Sequence, residues 1–172
     1  MRPESLAGGD REFFISRHFA APRERVFLAW VEPVQLAQWW GPHGFSNPVC
    51  ELDVRPGGAY RIVMRGPDGV DYPVKGVYHE VVVPELLVMT DDCSEHPEEW
   101  HAQLDPAWQA DDEGVTLDSL SRVTFAAQEE RTLLAIRTLF ATAAILDAML
   151  KMGMAEGWAQ SLERLERHLA QA

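Results

Sequence analysis

Two hydrophobic periods alternate along the chain and mark out its elements in turn. Residues 12–20 alternate as a strand, with Phe13, Ile15 and His18, or Phe14 and Phe19, as its inward set. Pro22 stands where a helix begins, since its missing N–H costs nothing there. Residues 23–31 then carry Val26, Phe27 and Trp30 at helical spacing. Pro33 opens a second short helix with Val34, Leu36 and Trp39-Trp40, and Gly41-Pro42 stops it.

The clearest hairpin lies in residues 49–55 and 59–65, joined by the three-residue loop Pro56-Gly57-Gly58. Pairing across that loop sets Val54 opposite Tyr60, Leu52 opposite Ile62 and Cys50 opposite Met64, an apolar face. Asp53 and Arg61 pair on the other face. Gly66-Pro67-Asp68-Gly69 turns the chain into a strand at 72–83, and Val83-Pro84-Glu85 into another at 86–92. The pattern lapses over residues 94–117, an acidic stretch read as a loop with a short helix. Strands resume at 120–127 and 132–140, with Val123 and Phe125 sharing a face with Leu134 and Ile136. A long helix closes the chain over residues 143–170. Met154, Trp158, Leu162, Leu165 and Leu169 form one stripe along it, and Ile145, Met149 and Met152 a second, with Gly153 and Gly157 where the two meet.

This order predicts an α+β fold: a curved antiparallel sheet of seven strands around a long C-terminal helix, with two short helices after the first strand. A chain of 172 residues fits one domain over 12–172, interrupted by the 94–117 insertion and preceded by a flexible tail at 1–11. The net charge of −12 excludes a nucleic-acid partner, which needs a basic face. No apolar run spans a bilayer, so no membrane insertion is expected, and the polar N-terminus predicts a cytoplasmic protein. Cys50 and Cys93 read as two reduced thiols.

These segments together resemble the START-like (SRPBCC) superfamily with its helix-grip, Bet v 1-like fold. Within it they are similar to the branch named after activators of the heat-shock-protein-90 ATPase. The segments that carry the likeness are Phe19-Ala20-Ala21-Pro22-Arg23-Glu24-Arg25-Val26-Phe27, Trp39-Trp40-Gly41-Pro42, Asp53-Val54-Arg55-Pro56-Gly57-Gly58-Ala59-Tyr60, Gly76-Val77-Tyr78, and Glu156-Gly157-Trp158 leading to Leu162 and Leu165. The resemblance implies a cavity between sheet and helix. Members bind lipids, sterols, polyketides or plant hormones, and some cyclise or hydrolyse what they bind. The eukaryotic co-chaperone that names the branch carries an additional domain, for which this length is expected to leave no room.

The residues expected to line such a pocket are Trp39, Trp40, Tyr60, Ile62, Met64, Tyr78, Phe125, Met152 and Trp158, mostly aromatic or sulfur-bearing. Three readings of function follow. The first is binding of a small apolar or amphipathic molecule between sheet and helix. The second is acid–base chemistry of the polyketide cyclase or hydrolase type in that pocket, with His79, Tyr60 and Tyr78 as candidates. The third is an interaction module, a chaperone among its possible partners, that docks through Trp100 and Trp108 of the 94–117 loop. A homodimer is a reasonable prior for a small protein. His96 and His101 sit among acidic residues, but a solvated acidic loop is the reading adopted there, with no metal site. Cys50 is expected to face inward as an inert thiol. No phosphate loop is present, and no cofactor is implied.

Overall fold

The computed structural model describes residues 9–104 and 118–171. A short 3-10 turn, Gly9–Arg11, leads into β1 (Glu12–Phe19). Two helices follow, α1 (Arg23–Val31) and α2 (Pro33–Trp39), then strands β2 (Ser46–Leu52), β3 (Ala59–Arg65), β4 (Asp71–Val82) and β5 (Leu86–Asp91). A short helix α3 (Glu98–Leu104) precedes β6 (Ser119–Gln128) and β7 (Arg131–Leu139). Helices α4 (Ala143–Lys151) and α5 (Met154–Ala170) close the chain.

All neighbouring strands are antiparallel, in the order β1-β7-β6-β5-β4-β3-β2. Consecutive strands from β2 to β7 pair as simple hairpins and meanders, so most contacts form between chain neighbours. β1 and β2 are the two edges. The connection between them must therefore cross the sheet, and α1 and α2 make that crossing. Both helices begin as expected: Pro22 caps α1, and Pro33 is in the first turn of α2. Beyond α2, Gly41 takes the left-handed φ of 97° that stops a helix.

The alternation that marked β6 and β7 is realised directly, with Val123 opposite Ile136 and Phe125 opposite Leu134. These residues join Phe19, Phe27, Trp30, Trp39, Leu162 and Leu165 in the main core. A smaller cluster of Phe13, Phe140, Leu146 and Met149 lies beside it, with Trp100 and Leu104 packed against it. In β1 the inward residues are Phe13 and Phe19, while Phe14 and His18 are exposed.

Two expectations are corrected. The β2–β3 hairpin pairs Leu52 with Tyr60, Glu51 with Arg61 and Cys50 with Ile62, two residues away from the register read from the sequence. Gly57 and Gly58 belong to the β3 side, hydrogen-bonded to Tyr78 at 2.7 and 2.9 Å, which lengthens the loop to residues 53–58. A Cβ on Gly58 would stand 1.9 Å from the Asp53 carbonyl oxygen, so the loop requires glycine there. Asp53 does not pair with Arg61; its carboxylate takes the Arg55 guanidinium at 3.0 Å, and Arg61 reaches Glu95 at 3.1 Å. A two-residue slip keeps every side chain on its face, so the hydrophobic pattern cannot detect it.

The C-terminal helix is also not continuous. Gly153, with φ 95°, separates α4 from α5. The Thr142 hydroxyl caps the start of α4 by accepting from the Ile145 amide at 3.1 Å. The break lets each stripe meet its own partner: Leu146 and Met149 the smaller cluster, and Leu162, Leu165 and Leu169 the main core. No helix among the described residues is long and apolar enough to cross a membrane.

Candidate functional site

A cavity of about 420 Å³ lies where the two clusters approach each other, between the sheet and the last two helices. One wall is aromatic. Trp30 packs against Trp39 (4.9 Å between ring centroids), Trp40 (5.8 Å) and, stacked, Trp158 (6.2 Å). Of these indoles, Trp40 and Trp158 reach the cavity, while Trp30 and Trp39 stand behind them in the core. The Trp39 indole donates to the Ala29 carbonyl at 3.0 Å, which fixes the ring between α1 and α2.

Arg164 holds this wall in place. Its guanidinium donates to the carbonyls of Gln38, Trp40, Gly41 and Pro42 at 2.9–3.1 Å. These carbonyls lie at and just beyond the end of α2, where Trp40 also receives Asn47 and Pro42 also receives the Phe45 amide, and a cation there meets the favourable end of the helix dipole. Burial lowers the Arg164 pKa from its usual value. The Trp40-Gly41-Pro42 turn is thereby clamped to α5.

Met149, Met152, Gly153 and Met154, from the α4–α5 junction, line another side, with Met64 and Phe45 opposite in sequence terms on the β2–β3 limb. Gly157 keeps that face of α5 shallow; a Cβ there would meet only Pro42, at 3.6 Å.

The remaining wall is polar. β5 ends on Asp91, whose carboxylate receives the Ser121 hydroxyl at 2.7 Å and the Tyr60 hydroxyl. Ser121 in turn contacts the Thr138 hydroxyl at 2.9 Å. Tyr60 also lies 2.9 Å from the Thr90 carbonyl. To get there its phenol crosses the intervening strand over Gly76, where a Cβ would stand 2.7 Å from the ring and 1.8 Å from the Thr90 oxygen. Burial is the main cause that pushes the Asp91 carboxyl above its usual range, only partly offset by the two hydroxyl bonds. Burial, then Asp91, pushes the Tyr60 phenol up as well.

Beside this group lies a ring pile. His96 packs edge-on against Trp100 at 4.4 Å and near Tyr72 at 5.5 Å, and Trp100 meets His101 at 5.0 Å. Both His96 ring nitrogens are buried and have no hydrogen-bond partner among the described residues. Burial brings its pKa down to about 4. His101 is fully buried and its Nε2 contacts the Ser94 carbonyl at 3.1 Å. The reading of this stretch as a solvated loop is thus corrected for His96, Trp100 and His101, which turn inward. No cluster of ligating side chains among the described residues could hold a metal. Both cysteines are unpaired. Cys93 lines the cavity with its thiol pushed up to about 12 by burial, and Cys50 stands at about 11 for the same reason.

Of the residues expected to line a pocket, the structure brings Trp40, Met64, Met152 and Trp158 to the cavity. Trp39, Tyr60, Ile62, Tyr78 and Phe125 are packed in the core beside it. Of the acid–base candidates, His79 is exposed to solvent and Tyr78 is 2% exposed within the core. Tyr60 touches the cavity group only through Asp91. Trp108 lies outside the described residues. The polar wall was not anticipated. A signal was present in β6, whose inward positions run Phe125, Val123, Ser121, Ser119, while those of β7 run Thr132, Leu134, Ile136, Thr138. The β6 face changes from apolar to hydroxyl toward the end where Thr138 of β7 meets Ser121.

Comparison with solved structures returns bacterial proteins of this architecture. A protein from Nitrosomonas europaea is 23% identical, covering 95% of this chain and 96% of its own, with a TM-score of 0.77. One from Chromobacterium violaceum is 28% identical, covering 91% and 95%, with a TM-score of 0.68. The AHSA1 protein from Silicibacter pomeroyi is 24% identical, covering 93% and 98%, with a TM-score of 0.70. These likenesses carry the helix-grip, SRPBCC fold. No curated protein matches. The family model described as Activator of Hsp90 ATPase homolog 1-like protein matches residues 20–170, and the chain belongs to that family.

Proposed function

We propose that this protein binds a small apolar or amphipathic molecule in the cavity between the curved sheet and the C-terminal helices. The observation that carries the reading is the 420 Å³ space itself, walled by Trp40, Trp158 and four methionines and ending in one polar group. Binding sites of small molecules have this composition: an adaptable apolar body and a few converging polar atoms. A catalytic reading has less support, since His79 is exposed and Tyr78 is enclosed in the core. A docking reading loses Trp100, whose indole packs against His96 and His101 of the same chain.

The test is titration with N-phenyl-1-naphthylamine, an uncharged dye that brightens in apolar surroundings. Saturable binding with quenching of tryptophan emission is expected, because the indoles of Trp40, Trp100 and Trp158 line the space. Gly157→Leu directs a side chain into the cavity and is expected to abolish binding with an unchanged far-UV circular dichroism spectrum. Absence of saturable binding by the wild-type protein, or equal binding by the folded variant, rejects the reading.

A further inference from the structure

If the cavity holds a ligand, as proposed above, its wall also selects the sign of the ligand's charge. Among the described lining residues, Asp91 is the one carboxylate and no Lys or Arg is present. His96 offers no charge in their place, because burial keeps its imidazole neutral at pH 7. The oxygens of Asp91 receive the protons of Tyr60 and Ser121, which aim the carboxylate and leave it acceptor capacity, since a carboxylate has about four lone-pair sites. Asp118 adds further negative potential there.

Three kinds of polar head can be compared. An anionic head would meet a like charge within a wall of low dielectric. A neutral head would leave the carboxylate desolvated and without a countercharge. An ammonium head supplies donors and the opposite charge together, and charge-assisted hydrogen bonds are the strong ones. The rings of Trp40, Trp158, Tyr72 and Trp100 at the same cavity suit the apolar body and also attract cations.

We propose that the cavity takes a protonated amine carried on an apolar body, with Asp91 as its counter-ion and Tyr60 and Ser121 as the residues that position the carboxylate. Burial disfavours the charged form of Asp91, and an ammonium head brings the countercharge that favours it.

The experiment is calorimetric titration of the full chain with octylamine, octan-1-ol and octanoate at pH 7 and one ionic strength. Octylamine is expected to bind tightest, by about tenfold over octan-1-ol, the worth of one hydrogen bond to a charged group. Octanoate is expected to bind weakest. Asp91→Asn is expected to remove the advantage of the amine over octan-1-ol. Equal or tighter binding of octan-1-ol or octanoate by the wild-type protein overturns the inference while leaving the cavity reading standing. So does an amine preference that survives in folded Asp91→Asn. If none of the octyl compounds binds and the dye does not bind either, the cavity reading fails and this inference with it.

Discussion

Gly153 and Gly157 stand one helical turn apart, joined by a 2.9 Å amide–carbonyl bond, and replacement by alanine should act in opposite directions at the two sites. Gly157 lies within α5, and its added methyl would find only Pro42 Cγ at 3.6 Å, an ordinary contact. Alanine exceeds glycine by ~0.8–1.0 kcal/mol in a helix interior. A partly buried methyl adds a few tenths more, so Gly157→Ala should stabilise the fold by about 1 kcal/mol. For a chain of this length that raises the Tm by about 2–4 °C. Gly153 has space as well, with only Glu156 Oε2 within reach at 3.9 Å, but its φ of 95° is one that side chains resist. Gly153→Ala should therefore destabilise by ~1–2 kcal/mol, the usual penalty for that backbone region. Urea unfolding followed by far-UV circular dichroism measures both, with the midpoint moving and the slope unchanged. A loss of stability in Gly157→Ala, or a shift of both variants in one direction, would refute the account of the α4–α5 junction.

Further outcomes are expected elsewhere. Gly76→Ala should cost about 3 kcal/mol or more, because its methyl would overlap the Thr90 carbonyl and the Tyr60 ring; loss of the near-UV tyrosine signal in the folded fraction would check it. Arg164→Met keeps the aliphatic stem but removes four charge-assisted hydrogen bonds to the carbonyls at and just beyond the end of α2. About 2 kcal/mol should be lost in urea unfolding, together with affinity for the apolar dye; an unchanged midpoint would deny the clamp. His96 titrates at about 4 in the fold against 6.5 when unfolded. Its neutral form is the folded one, so its contribution is complete above 6.5 and is lost as pH falls toward 4. The stability of the wild-type protein relative to His96→Phe should decline across that window. A flat difference would place His96 in water.

Elements anchored by local chemistry were legible in the sequence. The bounds 23–31 for α1 and the start of α2 follow from Pro22 and Pro33, which fix where a helix can begin. The facing of Val123, Phe125, Leu134 and Ile136 follows from strand alternation. What escaped depends on distance and backbone sign. The β2–β3 register turned on Gly57 and Gly58 pairing with Tyr78, twenty residues further along the chain by a contact no local pattern encodes. The break at Gly153 needed a positive φ, whereas the apolar stripes run through it without interruption. Asp91 looked like the polar end of a strand. Its meaning appears only when Tyr60, Ser121 and Thr138, from three other strands, arrive beside it.

The division of the last helix has a consequence for how the cavity exchanges its contents. α4 is nine residues long, below the roughly 12–15 at which a helix holds its shape unaided. It persists only while Leu146 and Met149 remain docked on Phe13 and Phe140. α5, tied to α2 through Arg164 and to the main core through Leu162 and Leu165, has no such dependence. Undocking α4 about Gly153 would withdraw Met149 and Met152 from the cavity while the indole wall stayed assembled. The lifetime of an occupant would then be governed by the opening free energy of one short segment, well below that of global unfolding. Hydrogen exchange would register this as a block of α4 amides that opens together and slows when the cavity is filled.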